Sequence, residues 1–216
     1  MDAESIGVLL VDDHQMVLEG LAAIISRDPQ IRVVGQCMDA MKVLDEARRL
    51  SPRVIVLDVG MPGLNGLDLC RELRRKLKQT AVLMLTMYDE QEFLARAIKN
   101  GASGYVVKGS PASELLQAIR SVAAGQMHLP GGIPRDLLDR IGSAQNDPFS
   151  ALTGRERQVF QMIAEGKTSR KIAAALSISV KTVDSHRTRL MRKLGIHSVG
   201  ALVKLALRRG VVHLPL

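Results

Sequence analysis

Along the first half of the chain, short and nearly continuous apolar runs alternate with longer amphipathic stretches. The runs, rich in Val, Ile and Leu, fall at 6–11, 31–36, 53–58, 81–86 and 103–107 and lack the in-and-out alternation of a half-solvated sheet. Such runs mark parallel strands buried on both faces. Between them, apolar residues at helical spacing predict helices over 14–26, 39–50, 65–77, 90–99 and 111–124, the last carrying Leu115, Leu116, Ile119 and Val122 on one face. Five βα units in a row predict an α/β domain with a doubly wound, five-stranded parallel sheet, whose ligands bind at the carboxyl ends of the strands.

After residue 124 the strand pattern disappears. Residues 125–149 are rich in Gly, Pro and polar residues, apart from a short helical pattern around "DLLDRI", and read as a linker between domains at 1–124 and 150–216. The second domain is helical throughout, with helices predicted over 153–165, 168–176, 179–194 and 198–209 and Gly166, Gly195 and Gly210 as stops. Thr168 and Ser179 are placed to cap the second and third of these.

Charge divides the chain at the same place. Residues 1–130 hold 15 Lys+Arg against 16 Asp+Glu, whereas residues 131–216 hold 15 against 6. A basic domain attached to a near-neutral one implies an anionic polymer as partner of the second alone. With no Trp, two Tyr and three Phe, stacking on single strands is disfavoured and duplex DNA is the expected polymer. Cys37 and Cys70 lack metal-ligand spacing and read as packed thiols. No apolar stretch reaches the length of a membrane span and "MDAESIG" has no signal character, so a cytoplasmic location without membrane association is expected.

The first strand ends in two adjacent carboxylates, Asp12 and Asp13, and the third ends in Asp58. In a sheet whose strand order reverses beside strand 1, these ends are neighbours, and three converging carboxylates call for a hard divalent cation, best Mg²⁺, or for raised pKa values. The plainer alternative is a helix cap at Asp13 with Asp12 and Asp58 solvated. Thr86 ends strand 4 and Lys108 follows strand 5, adding a hydroxyl and a point cation to the same crevice. Together these groups suit a phosphoryl group.

In order and spacing, "VDD", "LDVGMPGLNG", "LTMYD" and "GYVVKGS" make residues 6–124 resemble a response-regulator receiver domain, of flavodoxin-like fold. The resemblance implies Asp58 as phosphoacceptor. It also implies Mg²⁺ bound by Asp13, Asp58 and the Gly60 carbonyl with Asp12 acting through water, Thr86 and Lys108 on the phosphoryl oxygens, and Tyr105 as the aromatic switch residue. "MPG" at 61–63 reads as a turn.

In the basic half, Val183, Leu190 and Leu194 share one side of a helix that turns about 100° per residue. Lys181, Asp184, Ser185, Thr188 and Arg192 share the other, and Ala173 to Ala175 allow a close helix approach. Helix, short turn and polar-faced helix form a helix-turn-helix. "SVKTVDSHRTRLMRKLG" makes this small four-helix domain resemble the LuxR-type effector domain of NarL/FixJ regulators. By resemblance, Lys181, Thr182, His186, Arg187 and Arg189 contact phosphates, while Asp184, Ser185 and Thr188 face base edges. The last helix, with Val199, Leu202, Val203 and Leu205, serves mostly the core and carries a dimer contact in relatives.

The expected function is therefore a two-component transcription regulator: a sensor histidine kinase phosphorylates Asp58, and the basic domain binds duplex DNA as a homodimer. RNA polymerase stands as a further candidate partner. A DNA-binding regulator independent of phosphorylation is the rival reading, and an intact set of Asp12, Asp13, Asp58, Thr86 and Lys108 argues against it. A Mg²⁺ phosphohydrolase is the second rival, weakened by the lack of a general acid near Asp58. Beyond self-phosphorylation no enzyme activity is expected.

Overall fold

The computed structural model describes residues 5–61, 64–87, 91–131, 148–209 and 211–212. The chain divides into two compact units. In the first, strands β1 (Ile6–Val11), β2 (Ile31–Cys37), β3 (Val54–Asp58), β4 (Ala81–Thr86) and β5 (Gly104–Val107) form one parallel sheet in the order β2-β1-β3-β4-β5. The order reverses beside β1, which sets the ends of β1 and β3 side by side as the sequence reading requires. The connecting helices are α1 (Gln15–Ile25), α2 (Val43–Leu50), α3 (Gly66–Lys76), α4 (Gln91–Lys99) and α5 (Ala112–Ala123).

Because side chains alternate along a strand, the sheet builds two cores. Val8, Leu10, Val56, Leu83 and Val106 pack with Leu18 and Leu21 of α1 and Leu115, Ile119 and Val122 of α5. The intervening residues, among them Leu9, Ile55, Leu57, Val82 and Met84, are equally buried on the opposite face. Strands β3 and β4 are buried at every position, which is why their sequence shows no alternation.

Two boundaries differ from expectation. Helix α2 starts at Val43 rather than 39, because the Asp39 carboxylate accepts from Met41 N at 2.9 Å and its carbonyl from Lys42 N at 2.9 Å. That local turn competes with the helix for the same backbone groups. Beyond α5, residues taken as linker pair with the sheet: Tyr105 N donates to His128 O at 2.9 Å and His128 N to Ser103 O at 3.2 Å. The "DLLDRI" pattern, Pro62, Gly63 and Gly210 lie outside the described residues.

The second unit opens with a 3-10 turn (Pro148–Ala151), followed by α6 (Gly154–Ala164), α7 (Ser169–Leu176), α8 (Val180–Leu194) and α9 (Val199–Arg208). Each helix start is capped by a hydroxyl: Thr153, Thr168, Ser179 and Ser198 accept from the backbone N–H three residues on. Gly166 and Gly195 end α6 and α8 at φ 76° and 64°, the left-handed backbone that spares glycine a Cβ clash. Phe160, Val159, Ile172, Leu176, Val183, Leu190 and Leu202 form the core. Of the three alanines expected at a helix contact, Ala173 is buried while Ala174 and Ala175 face solvent. On α9, Leu202 and Ala206 are fully buried, Val203 and Leu205 half-buried and Val199 exposed, so fewer of its apolar residues serve the core than the pattern implies.

Candidate acidic site and candidate nucleic-acid interface

Strand ends deliver the acidic site. Asp12 follows β1 and Asp58 ends β3, both buried at 1% and 6% exposure, so the alternative of solvated loop carboxylates does not hold for them. Nor does Asp13 cap α1: that position is His14, whose backbone N–H donates to Asp12 Oδ1 at 2.9 Å. Lys108, arriving from the end of β5, spans the crevice, its Nζ 2.7 Å from Asp12 Oδ2 and 3.0 Å from Asp58 Oδ1. The remaining Asp58 oxygen accepts from Gly60 N at 3.2 Å. Thr86 is buried beside them, its carbonyl accepting from Lys108 N at 2.6 Å, which fixes the lysine's backbone to the end of β4.

The electrostatics follow from burial and proximity. Burial is the largest influence on Asp58 and raises its pKa above the ordinary carboxylate value; Lys108 opposes that rise, and Asp12 and Asp13 reinforce it. For Lys108, burial works to lower the pKa, but Asp58 and Asp12 outweigh it and hold the ammonium above its ordinary value. One ammonium thus pairs with two carboxylates, Asp12 and Asp58. Asp13 Oδ1 is buried and makes no hydrogen bond among the described residues, although His14 Nδ1 lies 3.1 Å away and pairs with it when protonated. A buried carboxylate oxygen without a hydrogen bond, close to Asp12 and Asp58, belongs to a donor set suited to a hard divalent cation. Asp12, Asp13 and His14 bring one potential ligand atom each within 4.8 Å of one another. His14 is the member of this group that the strand-end pattern does not single out, although it directly follows the two carboxylates in the sequence.

Gly66 is the residue whose role no pattern indicates. It begins α3, its N–H donates to Val59 O at 3.0 Å, and a Cβ there would collide with the carbonyl oxygen of Asp58. Glycine therefore lets the β3–α3 connection close directly over the candidate phosphoacceptor. Tyr105, on β5, is 1% exposed. Both cysteines are buried, and burial pushes the Cys70 thiol up to about 12, consistent with packed and unreactive thiols.

The basic unit offers α8. Val183 and Leu190 are fully buried and Leu194 half-buried, while Lys181, Thr182, Asp184, Ser185, Thr188, Arg189 and Arg192 are exposed, as the helical spacing predicts. Ser179, Lys181, Thr182, Ser185, His186 and Arg189 line an open recess of about 300 Å³. His186 and Arg187 are only partly exposed. Burial and the neighbouring Arg189 lower the His186 pKa, which disfavours the charged imidazolium. Lys193 counts in the basic excess yet is committed within the unit, donating to Glu156 Oε2 at 2.6 Å and Ala151 O at 3.0 Å. Asp184 accepts at Oδ1 from Ser169 of α7 at 3.0 Å.

Comparisons with known proteins agree with both units. The response regulator receiver domain family matches residues 8–120, and the family of bacterial regulatory proteins of luxR type matches residues 150–206. The transcriptional regulatory protein MctR of Rhizobium johnstonii is 35% identical over 207 residues, covering 96% of this chain and 95% of that protein. The oxygen regulatory protein NreC of Staphylococcus aureus is 33% identical over 210 residues, covering 94% and 97%. Among solved structures, the response regulator ChrA of a heme-sensing two-component system is 31% identical with a TM-score of 0.52, covering 96% of this chain and 99% of that one. RcsB of Salmonella typhimurium, 24% identical with a TM-score of 0.64 over 95% and 98%, shares the fold. No described helix is long and apolar enough to cross a membrane. The chain belongs to the NarL/FixJ family of two-component response regulators, in which a receiver domain is followed by a LuxR-type helix-turn-helix domain.

Proposed function

We propose that the chain is a cytoplasmic transcription regulator switched by phosphoryl transfer from a sensor histidine kinase to Asp58, and that its second unit binds duplex DNA as a homodimer through α8. The observation that carries the reading is the meeting of Lys108 with Asp12 and Asp58, with the carboxylate of Asp13 adjacent in sequence to Asp12. Asp13, Asp58 and the Gly60 carbonyl would hold Mg²⁺, with Asp12 behind them through water. When bound, the cation supplies charge neutralisation at the phosphoryl oxygens.

The chain's own groups account for the rest. In the transfer, an oxygen of Asp58 forms a bond to phosphorus as the phosphorus–nitrogen bond of the donor phosphohistidine breaks, giving an acyl phosphate and returning the electron pair to the imidazole. A buried carboxylate must be ionised to attack, and Lys108 favours that form while aiming Asp58 Oδ1. Once Asp58 is esterified its charge moves outward onto the phosphoryl oxygens, and Lys108 and the Thr86 hydroxyl are proposed to bind them there. Tyr105 is proposed to report that rearrangement on the β5 side of the sheet. On α8, Lys181, Thr182, His186, Arg187 and Arg189 are proposed to engage phosphates.

Intact-protein mass after treatment with Mg²⁺ and acetyl phosphate tests the first half. The native chain is expected to gain a single phosphoryl group and Asp58→Asn none. A folded native chain that gains none from acetyl phosphate or phosphoramidate would leave a DNA-binding protein without this switch.

A further inference from the structure

The exposed strip of α8 runs Lys181, Asp184, Ser185, Thr188, Arg192. Its hydroxyls are spoken for as donors: Ser185 Oγ donates to Lys181 O at 2.9 Å and Thr188 Oγ1 to Asp184 O at 3.0 Å, since a carbonyl can only accept. What both side chains turn outward is lone pairs. Asp184 is an acceptor by nature, and Ser169, donating to Oδ1 from the start of α7, fixes the carboxylate while leaving Oδ2 for another group. The middle of the strip, Asp184, Ser185 and Thr188, therefore turns acceptors outward.

Cations stand at its ends. From Lys181 to Arg192 the helix rises about 16 Å, so on a helix lying along the major groove the two cations stand beyond the stretch that faces the bases, towards the flanking phosphates. The acceptor stretch rises about 6 Å, or about two base-pair steps, over the groove floor. Acceptors on the floor match only donors, and the major-groove donors are the N4 amino group of cytosine and the N6 amino group of adenine. Guanine and thymine present acceptors there, which an anionic carboxylate repels.

Resting on the DNA-binding reading above, we infer that Asp184, held by Ser169 and flanked by Ser185 and Thr188, is a specificity-determining residue that selects amino-bearing bases, cytosine or adenine, at the centre of each half-site. The common pairing of an arginine with guanine is replaced here by a carboxylate with an amino group. Asp184 gains selectivity and loses affinity, because it also repels the nearby phosphates.

The test is selection of bound duplexes from a randomised library by the full chain, with and without acetyl phosphate, followed by replacement of the selected base with an analogue lacking its amino group. 2-Pyrimidinone stands in for cytosine and purine for adenine. For the native chain the loss is expected to be tenfold or more at one central position. For Asp184→Ala, with helix content checked by circular dichroism, it is expected to be under twofold. Asp184→Asn, which adds a donor, is expected to accept guanine or thymine there. Enriched sites indifferent to removal of the amino group would overturn the inference, as would an Asp184→Ala chain that binds every duplex more tightly with unchanged base preference. Failure to retain any duplex at low salt would instead remove the DNA-binding reading, and this inference with it.

Discussion

Among the described residues Lys108 is the group shown paired with both buried carboxylates, Asp12 and Asp58, and that arrangement sets the stability of the site as well as its chemistry. Replacing it by methionine leaves those charges uncompensated, at a cost of about 3 kcal/mol in a chelator, measured by urea unfolding. Mg²⁺ is expected to recover part of the loss. Asp58 has the opposite sign. Its folded pKa lies above the ordinary 3.8, so the stability linked to its proton is complete below 3.8 and is lost as pH rises through the folded value. Asp58→Asn should therefore raise the melting temperature at pH 7, with the two chains converging as pH falls towards 3.8. Gly66→Ala should cost about 2 kcal/mol or more, because the added methyl meets the Asp58 carbonyl in a loop with little room to yield. Asp12, Asp58, Thr86 and Lys108 were legible because strand ends can be read from apolar runs, and the fold rule brings those ends together. Gly66 was not, since a forbidden contact between backbone segments leaves no periodic trace. The lowered pKa of His186 was hidden too, because it depends first on burial.

Elements were legible where one interaction dominates their sequence. The buried strands and the amphipathic helices fall where the apolar pattern puts them, and the hydroxyl caps of α7 and α8 were visible as Thr168 and Ser179. Helix α2 shows the limit: "MDAMK" has helical composition, yet Asp39 takes the backbone donor of Met41 and delays the start to Val43. The tight turn between α7 and α8 uses Ser177 at φ 52°, a conformation that its sequence does not announce. At the start of α6, Glu156 closes a capping box with Thr153 and pairs with Lys193 across to α8. Burial works to raise its pKa, but the hydrogen bonds from Lys193 and Thr153 prevail and lower it below the ordinary 4.5. The stability this supplies is present above pH 4.5 and lost as pH falls through the lower folded value. In an acid titration of unfolding midpoints, Glu156→Gln is expected to be less stable at pH 7 and to lose less on acidification. Equal slopes for the two chains would show that the capping box carries no linkage.

On the scale of the whole molecule, the basic excess lies in residues 131–216, with 15 Lys+Arg against 6 Asp+Glu. Part of it is internal, as Lys193 demonstrates, so net charge overstates what DNA can meet. If Lys181, Arg187 and Arg189 each neutralise one phosphate, replacing any one by alanine should reduce the slope of log affinity against log salt by about 0.9. An unchanged slope would remove that residue from the interface. The two units become one device only if the state of Asp58 alters what α8 does, and a coupling of 1–3 kcal/mol is typical of such linkage. The most direct measurement is the affinity of the full chain for a selected duplex, by fluorescence anisotropy in Mg²⁺, before and after acetyl phosphate, with Asp58→Asn beside it. The account predicts about five- to 150-fold tighter binding of the phosphorylated native chain and no response from Asp58→Asn. A native chain that carries the phosphoryl group, verified by mass, and binds the duplex with unchanged affinity would contradict it.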